Sequence, residues 1–336
     1  MANKLLLLLI LLSPSLLAAQ VSIGGGKGLM RIYEADAIEY GRFYTSSVFQ
    51  GYATQLNTES SLSELYTWHL GFSLGLPYAT EVFLHVIPYH DDQRHIFAPP
   101  GDTKIGLKHT LAQPTPLFSL AAAGYLEAPT AAIHPIPFEP YSEDGLGWAM
   151  LTAASFNFKE SNLNIPLKLS LNLGYKDHNI SNDVFAGITD QLIGGLAVKY
   201  AVKKVLIYSE LSGEYFFNKT DLPASYNSVR YTQGVKFYGP YQILFDVAGD
   251  IDLSQSKRKA GNQSHRFYED YADWRIMFGM TYSFHLFYKK NIQELEREQL
   301  KEQNINEIRR QRQDINKELE EYRKKLEKEK EKDLPF

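Results

Sequence analysis

The chain contains no cysteine among its 336 residues. This absence excludes disulfide bonds, thiolate metal sites and a lipid anchor attached to an N-terminal cysteine. Long apolar runs are also missing after the first twenty residues, so no later segment has the roughly 18–20 apolar residues that a membrane-spanning helix needs. The formal net charge of −4 is small and acidic, which argues against nucleic acid as a partner.

The first nineteen residues have the organisation of a secretory signal sequence. Lys4 supplies the positive charge, residues 5–12 form an apolar core, and the small residues Ala18 and Ala19 precede Gln20. Cleavage is expected before Gln20. A membrane anchor is the alternative interpretation, but the apolar core is shorter than a spanning helix requires. We therefore expect an exported protein.

The rest of the chain is rich in alternating segments. Residues 165–175, 241–253 and 274–284 alternate apolar side chains with polar or small ones. Period two favours strands, because an apolar helix stripe recurs every three or four residues. Nine weaker segments bring the strand count to twelve: 41–55, 63–75, 78–90, 102–112, 116–128, 146–158, 188–201, 204–217 and 227–238.

The connections between these segments alternate between short and long. Transmembrane β-barrels have short turns on the periplasmic side and longer loops outside. A soluble β-sandwich is the alternative, but its loops need not alternate in length. We predict an all-β fold, a transmembrane antiparallel up-and-down β-barrel of about 12 strands over residues 41–288, with residues 20–40 as a periplasmic lead-in. Tyrosines near the strand ends are expected to form two girdles at the membrane interfaces: Tyr78, Tyr89, Tyr125, Tyr175, Tyr200, Tyr241 and Tyr282.

Strand parity predicts which charged side chains point into the lumen. They carry both signs: Lys104, Lys108, Lys168, Lys199, Glu210, Glu214, Arg230, Lys236, Asp246, Asp250 and Arg275. Such charges can line a channel, or they can pair across a narrow barrel and fill it. Twelve strands lie between the eight that side chains fill and the sixteen that leave a wide pore, so both states remain open. Pairing across the lumen is favoured over a selectivity ring of one sign.

The last predicted strand ends in a pattern that resembles a known signal. Gly279, Tyr282 and Phe284 resemble the terminal β-signal of Gram-negative outer-membrane proteins, although Met277 stands where that pattern has a polar residue. The signal normally closes the chain, whereas about fifty residues follow it here. The resemblance implies recognition by the barrel-assembly machinery, with Tyr282 and Phe284 as the contacts.

A broader likeness covers most of the chain after the signal sequence. Residues 28–32 and 101–108 resemble segments of outer-membrane barrels, including the meta-pathway phenol-degradation transporter-like family and OmpA-type barrels. The resemblance implies location and class. No peptidoglycan-binding domain of the OmpA type follows the barrel, so that role is not implied.

The tail over residues 289–336 has a different composition, with fourteen Lys or Arg and thirteen Asp or Glu. We predict a charged periplasmic helix from about residue 290 to 332. It is either a solvated single helix or a coiled coil that pairs with itself or with a periplasmic protein. The seam of the coiled coil consists of Ile305, Ile308, Ile315, Leu319, Tyr322 and Leu326, and Arg312 interrupts it.

Two functions follow as expectations. The first is an outer-membrane channel or transporter for small solutes, apolar or aromatic ones if the family likeness holds. The second is a structural or adaptor barrel whose C-terminal helix docks a periplasmic partner. We predict no catalytic residues, no metal site and no cofactor, and hence not an enzyme. The expected surroundings are the outer-membrane lipid of a diderm bacterium.

Overall fold

The computed structural model describes residues 20–55, 62–90, 100–131, 145–161, 164–178, 189–217, 227–254 and 274–287, together with Arg312. The predicted signal sequence lies outside the described residues. So do the predicted tail helix, the six seam residues of its coiled coil and parts of all six long loops. The barrel itself is described over all of its strands.

Twelve strands form one closed antiparallel sheet. Each strand pairs with the next along the chain, and β12 pairs with β1 to complete the ring. The predicted twelve-stranded up-and-down barrel is confirmed, with strand bounds within three residues of the predicted ones. The strands are β1 Arg42–Gln55, β2 Leu62–Leu76, β3 Thr80–His90, β4 Thr103–Thr115, β5 Phe118–Ala128, β6 Gly147–Asn157, β7 Leu167–His178, β8 Thr189–Val202, β9 Val205–Phe216, β10 Ser228–Tyr238, β11 Leu244–Asp252 and β12 Trp274–His285.

In several strands the two faces differ in the opposite sense to those of a soluble protein. In β10, Arg230 and Lys236 are buried in the interior, whereas Val229, Tyr231 and Val235 are exposed on the outside. Strand geometry causes this division, because successive side chains point to opposite faces of the sheet. The alternation that predicted the strands therefore also sorts polar side chains inward.

The outer surface carries a continuous apolar belt. Soluble proteins rarely expose apolar patches of more than a few hundred Å², so a belt of this kind indicates contact with lipid. None of the helices in the described part of the chain is long and apolar enough to cross a bilayer. The fold is thus that of an outer-membrane-type β-barrel. Among the exposed outward side chains are Leu171, Leu173, Leu196, Ile207, Leu211, Val247, Ile251, Ile276 and Phe278.

Short connections join the strands at one end, which we call the short-turn end; the opposite end is the long-loop end. Strand starts predicted at residues 78 and 241 are wrong, because Tyr78, Ala79 and Tyr241 have φ values of 60°, 51° and 57°. Positive φ belongs to turns and is incompatible with extended strand geometry. Tyr78 and Tyr241 are exposed at the tips of two of these turns.

One tyrosine of the predicted girdles points the other way. Tyr125 faces the lumen on β5, and the ammonium of Lys104 lies 4.4 Å from its ring centroid. Side chains two residues apart on a strand point to the same face, and Tyr125 lies two residues before the buried Glu127. Its phenol ring is therefore part of the interior.

The β1–β12 seam contains the residues of the predicted assembly signal. Tyr282 and Phe284 are exposed on the outer face, and the rings of Phe43 and Phe284 lie 5.3 Å apart across the seam. Gly279 faces inward instead, close to Val48 and Asp246. Recognition by the assembly machinery stays a prediction.

Candidate functional site

The lumen is occupied by the chain's own N-terminal segment. Residues 20–38, which we call the plug, are buried at most positions and contact inward-facing side chains of the barrel wall. The sequence predicted that residues 20–40 form a periplasmic lead-in, and the structure places most of that segment inside the barrel instead. Glycine content suggested flexibility, but the wall supplies enough hydrogen-bonding groups to hold the segment in one conformation.

Two small turns give the plug its shape. Isolated bridges pair Val21 with Lys27 and Gly28 with Tyr33. Gly25 and Gly26 have φ values of +85° and +76°, in the region that favours glycine. A Cβ at Gly25 would also lie 2.8 Å from the Phe83 ring, so the glycines allow both the turn and the close approach to β3.

Lys108 on β4 anchors the plug through its main chain. Its ammonium donates to the carbonyl oxygens of Lys27 at 3.0 Å, Glu34 at 2.7 Å and Asp36 at 3.2 Å. It also pairs with Glu81 on β3 at 2.9 Å, and both side chains are fully buried. The three donors of the ammonium are shared among these three carbonyls and Glu81, so one side chain holds the plug at three positions of its main chain.

Glu81 completes this anchor from the acceptor side. Its carboxylate accepts the main-chain N–H of Lys27 and of Ile38, both at 2.7 Å. A buried carboxylate that accepts amide hydrogens and pairs with a lysine has most of its lone pairs satisfied. Glu81 and Lys108 therefore form one unit on adjacent strands.

The acidic end of the plug meets lysines of β7 and β8. Glu34 pairs with Lys168 at 2.7 Å and with Lys199, and Asp36 pairs with Lys168 and with Lys27. Burial by itself would raise the pKa of Glu34, but Lys168, Lys199 and Lys27 hold that pKa well below its usual range. Burial likewise opposes ionisation of Asp36, yet Lys168 and Lys27 lower its pKa to about 2. Both carboxyl groups are ionised at neutral pH.

The middle of the plug is held on β9 by its main chain. The carboxylate of Glu210 accepts N–H groups from Met30 at 2.8 Å, Arg31 at 3.0 Å and Ile32 at 3.3 Å. Arg31 also reaches β11, where its guanidinium pairs with Asp250. Three successive amides on one carboxylate fix the direction of the chain at this point.

Neutral side chains of the wall replace the partners that a neighbouring strand would provide. Asn172 on β7 accepts the N–H of Tyr33 at 2.7 Å and donates to its carbonyl at 2.9 Å. Ser155 on β6 accepts the N–H of Ala35 at 2.9 Å. The buried backbone of the plug is thus satisfied without a continuous strand ladder.

Apolar residues of the plug fill the remaining space in two clusters. Leu29, Met30 and Ile32 belong to a buried cluster with wall residues that include Tyr208 and Met277. On the other side the wall residues of β5 and β6 are small, which leaves room for the plug. The second cluster consists of Tyr33, Ala35, Phe83, Ala121, Ala123, Leu151 and Ala153.

All eleven predicted lumen-facing charges lie on inward positions of their strands, but they do not form pairs across an empty lumen. Lys236 and Asp246 are opposite each other on adjacent strands, with a distance of 2.9 Å between ammonium and carboxylate. Arg230 donates to Asp250 on the neighbouring strand at 2.7 Å. The other observed partners of the predicted set lie on the plug or nearby on the wall, because the plug occupies the space between opposite walls. Six of the predicted residues contact the plug: Lys108, Lys168, Lys199, Glu210, Lys236 and Asp250. The other five pair on the wall or line a cavity: Lys104, Glu214, Arg230, Asp246 and Arg275.

Sequence reasoning missed several charged wall residues. Lys176 continues the inward series of β7, which was predicted to end at residue 175, one position too early to include it. Glu127 was missed because Tyr125 was assigned to the outer face. Glu81 is on β3, whose inward face also carries Phe83 and Ile87, so the alternation there is weak.

Cavities border the plug toward both ends of the barrel. The cavity toward the long-loop end, which we call the long-loop cavity, has a volume of about 170 Å³. The short-turn cavity has about 290 Å³ and lies near the opposite end. Residues lining the short-turn cavity include Lys27, Glu34, Asp36, Lys159, Lys168, Lys199 and Lys203.

Residue types that can bind metal ions cluster in the sequence at the end of β3, beginning with His90. Asp91, Asp92 and His95 lie outside the described residues, and His90 is buried. Within the described ranges, no group of three or more His, Asp or Glu side chains is arranged to hold a metal ion. The absence of catalytic and cofactor sites stays a prediction.

Comparison with known proteins concerns the fold alone. No family model and no curated protein match the chain. Among solved structures, the KdgM porin in complex with disordered oligogalacturonate has 11% identity, covering 73% of this chain and 99% of that chain, with a TM-score of 0.44. An outer membrane channel from Pseudomonas putida F1 has 13% identity, covering 74% and 98%, with a TM-score of 0.49. The outer membrane channel DcaP of Acinetobacter baumannii has 10% identity, covering 72% and 96%, with a TM-score of 0.33.

Proposed function

We propose that this protein is an outer-membrane channel for small solutes whose lumen is closed by the plug and opens when the plug is displaced. The observation that carries the proposal is the polar, charged wall behind a segment that is not itself a strand of the barrel. Side chains alone fill barrels of about eight strands, whereas twelve strands enclose a wider lumen, which this segment occupies. The location follows from the apolar outer belt.

The way in which the plug is held supports a displaceable element. Its polar contacts to the wall are single hydrogen bonds and ion pairs rather than a strand ladder, and its apolar contacts involve few side chains, among them Leu29, Met30 and Ile32. When the plug leaves, the lysines and carboxylates it covered, such as Lys168, Lys199 and Glu210, can be hydrated by water in the lumen. Hydration lowers the cost of opening compared with the exposure of an apolar core.

Small apolar or aromatic solutes are the proposed cargo. The long-loop cavity has apolar and aromatic side chains on several strands, among them Ile87, Tyr125, Leu151 and Ile193. Pockets for small molecules typically combine such side chains with a few polar groups that fix orientation. The cavity is therefore the proposed point of entry from the long-loop end.

Deletion of the plug tests the channel. We would refold the chain from residue 20 and the same chain lacking residues 20–38 in lipid, and record single-channel conductance for both. The deletion is expected to give steady open channels, and the full chain mostly closed ones with brief openings. Faster migration of unboiled than of boiled samples on a gel would show that both barrels are folded. A folded deletion variant that does not conduct would rule out the channel.

The alternative function is a structural or adaptor barrel whose C-terminal helix docks a periplasmic partner. The filled lumen favours it, because a closed barrel can serve as a rigid anchor. Removal of residues 289–336 tests this function. Loss of envelope integrity with unchanged solute uptake would support the adaptor, whereas no effect on integrity or on interactions would remove its support. Contact of Tyr282 and Phe284 with the assembly machinery is part of either proposal.

A further inference from the structure

We propose that the short-turn cavity binds a small phosphate ester with free hydroxyl groups, which links the plug to the barrel wall. In bacterial barrels the short turns face the periplasm, so the ligand would reach this cavity from the periplasmic side. Binding does not depend on conduction by the barrel. The effect of the ligand on opening rests on the proposed function and is tested separately.

Positive charge predominates in the lining of this cavity. The lining includes five lysines but only two carboxylates, those of Glu34 and Asp36. It therefore has three more positive than negative charges. A cleft that is lined mainly by one sign of charge attracts ions of the opposite sign.

The two carboxylates are shared among three of the lysines. Glu34 pairs with Lys168 and Lys199. Asp36 pairs with Lys168 and, at 3.6 Å, with Lys27 of the plug. Lys27 is the most distant of these partners, and its ammonium otherwise contacts only a main-chain carbonyl among the described residues. Its charge is thus available to a bound anion.

Two further lysines lie on turns at the edge of the cavity. Lys159 is on the turn between β6 and β7, and Lys203 is on the turn between β8 and β9. Both are exposed, and within the described ranges no carboxylate pairs with either of them. The connections between strands at this end are described except for Asn162 and Leu163, which carry no charge. These turns therefore leave both lysines uncompensated.

A buried amide without a hydrogen-bond partner lies in the same lining. Gln20 is only 3% exposed, and its side-chain Oε1 accepts no hydrogen bond from the described residues. A buried acceptor without a partner is costly. A hydroxyl group of a ligand in the cavity would satisfy it, which indicates a ligand that carries a donor as well as negative charge.

These features specify the chemistry of the ligand. A phosphate group has three terminal oxygens that accept hydrogen bonds, and lysine binds phosphate as a point charge. The cavity volume of about 290 Å³ is roughly twice that of an engineered cavity that holds benzene, so it admits the phosphate ester of a small polyol. The described lining contains no aromatic side chain that would favour a ring.

The site includes residues of both the plug and the wall. Gln20 and Lys27 belong to the plug, whereas Lys159 and Lys203 belong to the wall. A ligand that contacts both groups loses part of its site when the plug leaves. Its binding therefore favours the closed state, and the ligand is expected to lower the open fraction in single-channel recordings.

The binding test uses the full chain from residue 20 in nanodiscs of zwitterionic lipid, with glycerol 3-phosphate, inorganic phosphate and glycerol as probes in calorimetric titrations. Glycerol 3-phosphate should bind with one-to-one stoichiometry and at least about tenfold more tightly than glycerol, because glycerol lacks the charge. It should also bind more tightly than inorganic phosphate. Equal binding of inorganic phosphate would overturn the ester as the ligand, and equal binding of glycerol would overturn the anion site.

Two neighbouring lysines on one turn provide a matched pair of variants. Lys203 lines the cavity, whereas Lys204 is not among its lining residues. Lys203→Met should weaken glycerol 3-phosphate by about tenfold, because a charge-assisted contact is lost. Lys204→Met should leave the affinity unchanged. Equal effects of the two variants would show general attraction to a basic surface and would overturn the site.

Two plug variants test the roles of the amide and of the carboxylates. Gln20→Leu should reduce the preference for glycerol 3-phosphate over inorganic phosphate, because the acceptor for the hydroxyl group is lost. Asp36→Asn should tighten the ester severalfold, because a negative charge beside Lys27 and Lys168 is removed. Damage to the fold would not produce such a gain. Weaker binding to a folded Asp36→Asn variant would contradict the role of charge in this cavity.

A lipid headgroup can supply the same phosphate-ester chemistry, and a further titration distinguishes the two sources. Phosphatidylglycerol is added to the nanodiscs for this purpose. Unchanged affinity for glycerol 3-phosphate would assign the site to a soluble ester, whereas a reduced apparent affinity would assign it to the competing headgroup. Removal of residues 289–336 should leave binding unchanged. Loss of binding on that removal would overturn a site formed by the plug and the wall.

The channel and the binding site can fail separately. Ester binding together with a non-conducting plug deletion would contradict the channel and keep the site. A conducting deletion with no ester binding to the full chain would contradict the site and keep the channel. An open fraction that does not fall when the ester saturates its site would contradict the link between plug and wall. Migration of unboiled samples on a gel checks that each variant is folded.

Discussion

The acidic end of the plug and its middle are held by different chemistry. At Glu34 and Asp36, side-chain carboxylates of the plug meet lysines of β7 and β8. At residues 30–32, the plug offers main-chain amides, and the wall supplies the carboxylate of Glu210. The first contact depends on the plug's sequence and on charge. The contact with Glu210 depends on the course of the plug's main chain. A side-chain substitution in the plug therefore leaves it largely intact, whereas a substitution of Glu210 removes it.

The largest effect of a single substitution is expected for Glu210→Ala. Three N–H groups lose their acceptor, two of them in buried hydrogen bonds, and each unsatisfied buried donor costs about 1–3 kcal/mol. The plug should be released most of the time, and the open fraction in single-channel recordings should approach that of the plug deletion. Glu160→Ala, on an exposed short turn, is the matched control and should stay closed. A closed Glu210→Ala channel with a folded barrel would show that the amide contacts are dispensable.

A smaller effect is expected for Glu34→Gln. Lys199 loses its partner Glu34, but Lys168 keeps Asp36, so only part of the charge contact is lost. Loss of one member of a buried pair costs up to about 3–5 kcal/mol because the other charge is left uncompensated. The open fraction should rise above that of the unmodified chain and stay below that of Glu210→Ala. Adding Lys199→Gln should partly restore closure, because it removes the uncompensated charge. If the increase in open fraction in the double variant equals the sum of the increases in the two single variants, direct pairing of Glu34 with Lys199 is contradicted.

The smallest effect is expected for mild acid. The pKa of Asp36 is lowered from 3.8 to about 2, so its contribution is fully present above about pH 4 and is lost only as the pH falls toward 2. Recordings at pH 7 and pH 4.5 should therefore show the same open fraction. Opening between these two values, reversed on return to neutral pH, would show that Asp36 and Glu34 are not ionised partners of the lysines.

The wall could be predicted from sequence far better than the plug. Period-two alternation specifies which residues face inward, and Lys168, Asp246 and Arg275 were identified in this way. Parity failed where both faces of a strand are apolar, as around Glu81 on β3, or where an aromatic residue faces the lumen, as Tyr125 does. In both cases the inward face is apolar because the plug packs against it or nearby. The sequence of a single strand does not contain the position of the plug, so it cannot predict this apolar inward face.

The plug itself has no periodic signal. Its first turn uses Gly25 and Gly26 at positive φ, and most of the plug's partners come from strands far along the chain. Glu34 and Lys199 are 165 residues apart in sequence. A charged residue in a glycine-rich segment near the N-terminus is equally compatible with a solvated linker, so the sequence alone favoured that simpler interpretation.

The separation between the plug and its partners has a consequence for the order of folding. Arg31 pairs with Asp250, which lies 219 residues later in the chain. Contacts between such distant residues form late, because a long loop must close before they are gained. The plug, which is synthesised before every strand of the barrel, is therefore among the last parts to reach its native place. A chain interrupted before β11 would leave the plug without Asp250 and without Met277 of β12, so completion of the barrel and closure of its lumen are parts of one event.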